Sequence, residues 1–173
     1  MISLGYRLRN LPNRFRSFKQ ELLTISKIGI AAELRAIHNK GDGSRIDLGV
    51  LGRKLVTDDG AEFIVDAFQN LVELENMKYH ASGTDNTAEN VLDAALGVEV
   101  ATRVAGTQTE GSAVQYVTVA TIPYTGTLAI VEHGIFSAGA AGVLLDRTVF
   151  AAINVVNGDS IQFTYTLTVN SGG

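Results

Sequence analysis

Nine residues near the C-terminus leave this chain the least choice. From Ile161 to Val169 the apolar side chains Ile161, Phe163, Tyr165, Leu167 and Val169 alternate with Gln162, Thr164, Thr166 and Thr168. A period of two belongs to a strand with one face in a core and the other wet or lightly covered. Upstream, Val143 to Val156 is rich in apolar and β-branched residues, and Asn157-Gly158 supplies two residues that take positive φ readily. The pattern predicts two strands joined by a tight hairpin turn. An isolated hairpin is marginal in water, so its apolar face requires further strands over it.

Candidates for those strands lie upstream. Residues 76–83, 98–104, 113–123 and 128–136 alternate or run apolar, Gly106–Gly111 reads as a polar turn, and Ser137–Gly142 as a small-residue turn. Nearer the N-terminus, 25–34, 46–51 and 55–57 are strand-like, with Asn39–Ser44 as a turn. Thr57-Asp58-Asp59-Gly60 predicts a helix start. Thr57 or Asp58 can cap it, Glu62 sits in its first turn, and Phe63, Ile64, Ala67 and Phe68 form a core-facing stripe. Thr87–Leu96 predicts a second short helix ending at Gly97. Many short strands and few helices predict a mainly β protein, an antiparallel β-sandwich or jelly-roll-like body with one or two short helices. No internal repeat is present.

A chain of 173 residues suffices for one domain with an appendage. With no cysteine, disulfides and Cys-based metal sites are excluded, which suits a reducing compartment. No apolar run is long enough to cross a membrane, and no secretory signal pattern follows the N-terminal arginines. The charge is asymmetric. Residues 1–54 carry eleven bases against four acids, +7, and residues 55–173 three bases against fourteen acids, −11. Residues 1–24 are expected to form an N-terminal arm with an amphipathic helix, and 25–173 the β-sandwich body. Phe15, Phe18, Leu22 and Ile25 fall on one helical face, away from Arg14, Arg16 and Lys19. Such a stripe suits docking on a partner or packing on its own body. The segment is short and the body repels phosphate, which argues against nucleic acid.

Residues that could carry chemistry are scattered. His38, His80 and His133 lack metal-ligand spacing, and Glu132 and His133 are strand neighbours that face opposite ways. Tyr79-His80-Ala81-Ser82-Gly83 lacks the first glycine of a nucleophile elbow. Gly139-Ala140-Ala141-Gly142 sits between strands, and Gly41-Asp42-Gly43 lacks both the helix of a phosphate loop and the ligands of a calcium loop. Asp58-Asp59 is explained by the helix start, and among fourteen body acids nothing selects a glycosidase pair. No catalytic, cofactor-binding or metal residue is assigned, and the chain is not read as an enzyme. Glu132-His133-Gly134 and Asp146-Arg147 lie on neighbouring predicted strands, as a charge cluster that sets sheet register would.

The runs Met77–Thr84, Thr87–Asn90, Arg103–Gln108, Tyr116–Ile122, Glu132–Phe136 and Leu145–Phe150, in that order, resemble a tailed-bacteriophage structural family. Its members are small virion proteins of the capsid decoration, or cement, type. The resemblance covers about residues 50–171 and leaves 1–49 unmatched. It implies a β-sandwich, a homotrimer, no cofactor, a place on the capsid surface of a virion assembled in the host cytoplasm, and the major capsid protein as partner. On this reading Arg7, Arg9, Arg14, Phe15, Arg16, Phe18, Lys19 and Leu22 form a capsid-docking strip that gives steering and contact area. The alternative from another class is a phage tail or fibre module that binds a receptor carbohydrate.

Overall fold

The structure, a computed structural model, describes residues 28–54 and 56–170. Its strands are β1 (Gly29–Asn39), β2 (Arg45–Lys54), β3 (Tyr79–Gly83), β4 (Glu99–Ala105), β5 (Thr107–Ser112), β6 (Gln115–Pro123), β7 (Leu128–Phe136), β8 (Leu144–Val155) and β9 (Ser160–Asn170). One helix, α1 (Asp58–Phe68), and a single 3-10 turn at Leu74–Asn76 lie between β2 and β3. The strands make two antiparallel sheets, in the orders β2-β1-β9-β6-β5 and β4-β3-β7-β8. Side chains from both sheets share one core, with Phe163 of β9 against His133 of β7 and Phe150 of β8. The mainly β, sandwich-like architecture expected from the alternation is therefore present.

β9 follows its pattern over 161–166, while Leu167 is only partly covered and Val169 is exposed. Ile161, Phe163 and Tyr165 are buried, while Gln162, Thr164 and Thr166 are only partly covered. Its partner is not the expected one. β8 pairs with β7 and β9 pairs with β6, so the two halves of the predicted hairpin belong to different sheets. The turn between them is an arch. A type I′ hairpin turn needs positive φ at both central residues, and only Gly158 has it, at 91°. Asp159 takes over the turn instead. Its carboxylate accepts the N–H groups of Val156 at 3.0 Å and Gly41 at 2.8 Å and meets His38 Nε2 at 2.9 Å, tying the arch to the β1–β2 turn.

Other expectations are corrected in the same local terms. Residues 87–96 form an irregular loop, because Asp85, Asn90 and Asp93 spend their side chains on nearby backbone N–H groups. Residues 106–111 are mostly edge strand β5, and the turn comes after it at Ala113-Val114. Of 55–57, the described residues are 56 and 57, where Val56 makes one isolated bridge to Asp146 and no strand forms. The helix is where its cap places it, with Thr57 Oγ1 accepting the Gly60 N–H at 3.0 Å. Phe63 is buried as expected, but Phe68 points into solvent.

Candidate functional site

β7 and β8 carry polar side chains on both faces, and each set is used internally. On the outer face Glu132, fully buried, accepts the backbone N–H groups of Asp85 and Gly97 at 3.1 Å and of Val98 at 2.9 Å. Arg147 Nε donates to the same carboxylate at 2.8 Å, while its other two nitrogens donate to Asp93 at 3.0 Å and Asp85 at 3.3 Å. Burial opposes the charge on Arg147, but the hydrogen bonds it donates to Glu132 and Asp93, with their negative charge, outweigh it and raise its pKa. Of the expected charge cluster, Glu132 and Arg147 meet and are joined by Asp85 and Asp93 from loop 84–98, while His133 and Asp146 bond elsewhere, to His80 and Thr148. The same loop covers the Glu132–Arg147 pair, and Gly83 must lack a side chain because a Cβ there would come within 2.3 Å of Glu132 Oε1. Leu96 of that loop completes a small apolar cluster with Ala81, Phe136 and Leu144.

On the inner face two of the three histidines meet. His80 Nδ1 lies 3.0 Å from His133 Nε2, and His80 Nε2 lies 3.2 Å from Thr118 Oγ1 across the sandwich. Both rings are buried, which pulls His80 down to about 3 and His133 well below its ordinary value. His133 Nδ1 has no hydrogen-bond partner among the described residues. A bare lone pair is cheaper to bury than an orphaned N–H, so His133 Nε2–H donates to His80, and His80 Nε2–H donates to Thr118. Tyr165 is held neutral by burial and by the nearby Asp146. A proton-transfer role needs a group that reaches substrate near neutral pH, and this pair is sealed in the core and neutral there.

His38 is spent on Asp159, and Ser82 accepts from the Tyr124 hydroxyl in the core. Among the described residues no group of three His, Cys, Asp or Glu is arranged to hold a metal ion, and no helix is long and apolar enough to cross a membrane. Among the described residues a shallow groove of about 440 Å3 lies open between the 3-10 turn, β5 and β6. Leu74 and Tyr116 line it with Glu75, Glu110, Gln108 and Gln115. The Tyr116 hydroxyl donates to the Met77 carbonyl at 2.7 Å and accepts from Gln108 Nε2 at 3.0 Å, so the ring is fixed in place. Sequence reasoning passed over this groove, although a signal existed: residues 55–77 hold six acids and no base.

The residues of the expected docking strip, Arg7, Arg9, Arg14, Phe15, Arg16, Phe18, Lys19 and Leu22, lie outside the described residues. Compared with protein-family models the chain gives no match, and compared with curated proteins it gives no significant match.

Proposed function

We propose that this chain is a virion structural protein of the capsid decoration type, a homotrimer that binds the major capsid lattice between capsomers and stabilises the shell. The observation that carries the reading is the ordered set of blocks that resembles that family. Those blocks coincide with the framework: Glu132 and Arg147 come from two of them and form one buried ion pair, and His80, Thr118 and His133 come from three. The reading is supported by the way chemistry-bearing side chains are consumed in holding the sandwich, which suits a protein that works by adhesion. Removing residues 1–24 tests it. Occupancy on purified particles is expected to fall sharply, because the deletion removes all eight residues of the basic strip, and unchanged occupancy would refute the docking role.

One observation favours a second reading, a tail or fibre module for carbohydrate. The groove presents a fixed tyrosine ring beside Gln108, Gln115 and Glu110, a combination that can stack on and hydrogen-bond a sugar. Saturable binding of the isolated protein on a glycan array would favour that module over the cement role.

A further inference from the structure

Three features coincide along one strip. Val65, Phe68, Leu71 and Leu74 recur every third residue from the solvent side of α1 through the turn after it, and they are 56%, 85%, 67% and 47% exposed. Four exposed large apolar side chains within ten residues of chain are a local concentration of the kind that accompanies interaction surfaces. The row runs into the groove, where Leu74 lies with Tyr116 between Glu75 and Glu110. The flanking charge has one sign. Asp58, Asp59, Glu62, Asp66, Glu73 and Glu75 stand in a stretch with no base, and none of them is ion-paired among the described residues.

We propose that this strip is a docking surface for a basic, amphipathic segment of a partner protein. The segment's apolar side chains lie on Phe68, Leu71 and Leu74, and its lysines and arginines meet Glu73, Glu75 and Glu110. A second copy docked strip to strip would oppose acids with acids. A saccharide in the groove would leave Phe68 and Leu71 uncovered. The inference stands apart from the virion reading, since it concerns the chemistry of the bound segment and not its source.

The test uses the full chain and a fluorescent Leu–Lys peptide of about fourteen residues with leucines at helical spacing, read by anisotropy. Saturable binding is expected, weakening as salt rises. Reversing the charge in E75K/E110K is expected to weaken it about tenfold, as is removing the ridge in F68S/L71S. These side chains are solvent-facing, so both variants should keep the wild-type melting temperature within a few degrees, which the same samples report. A Leu–Glu peptide of the same pattern should not bind. The proposal is overturned by no saturable binding, by equal binding of the Leu–Glu peptide, or by indifference to either variant pair. It is overturned equally by a dimer that F68S/L71S abolishes and E75K/E110K does not affect.

Discussion

The neutral histidine pair makes the stability of this protein fall on mild acidification, and the size of the fall can be worked out. Both imidazoles are buried, with folded-state pKa values pulled down to about 3 for His80 and well below the ordinary value for His133. In the unfolded chain each titrates near 6.5. As pH drops through that value the unfolded state takes up protons that the folded state refuses, so stability present at higher pH is lost. Between about pH 7.5 and about pH 5.5 each ring costs about 1.4 kcal/mol, and the pair about 3 kcal/mol. Urea unfolding at the two pH values measures the loss. The variant H80Q/H133Q, which cannot titrate at these positions, should show a slope flatter by that amount whatever its absolute stability. Imidazole NMR of the wild type gives an independent reading, with the rings of His80 and His133 failing to titrate between those pH values in the folded state. Equal stability at both pH values, or a folded-state titration of His80 and His133 near 6.5, would refute the reasoning.

Two further outcomes follow from the outer face and the helix. Arg147→Met leaves Glu132 buried with its backbone donors but no cation, and should cost about 3–5 kcal/mol in urea unfolding at neutral pH; a loss below about 1 kcal/mol would mean the three backbone N–H groups suffice. Thr57→Ala removes both the α1 cap at Gly60 and a buried hydroxyl that donates to the Leu144 carbonyl, so a loss of about 1–2 kcal/mol is expected from the urea midpoint, and an unchanged midpoint would show that the cap contributes nothing.

How far the sequence could be read depended on what each pattern encodes. Alternation reports which side chains are buried, and β9 is as expected over 161–166 but not at Val169, which is exposed; it does not report which backbone lies alongside, and β9 pairs with β6 instead of β8. The Asn157-Gly158 signal was local and lost to Asp159, whose partners Gly41 and His38 are more than a hundred residues away. Thr57 made α1 legible because a cap acts within three residues. In 87–96 helical propensity was overridden by Asp85 and Asp93, which turn back on the backbone and forward to Arg147. β5 was read as a turn because Thr107-Gln108-Thr109-Glu110 is polar at every position, as an edge strand covered on neither face can be. The open groove was missed because its residues come from three separate segments; only the run of acids in 55–77 hinted at it.

The polar residues of β7 and β8 do a job that the apolar ones cannot. Where a strand has one dry face, slipping by one residue turns its apolar set outward, and that cost fixes the register. From Glu132 to Phe136 and from Leu144 to Thr148 every residue is buried, so apolar pattern alone barely distinguishes one register from the next. The observed pairing opposes His133 to Thr148 and Gly134 to Arg147. It sends Glu132 and Arg147 to the outer face, where three backbone N–H groups and two more carboxylates await them, and His133 to the inner face beside His80. A slip of β7 by one residue would exchange those directions, placing a carboxylate among Phe163 and His80 with no backbone donors and an imidazole against a guanidinium. Each misplaced charge costs several kcal/mol, more than the apolar side chains could recover by repacking. The two buried clusters therefore carry the register of the sheet between them. That role also explains why groups resembling catalytic equipment sit sealed from solvent.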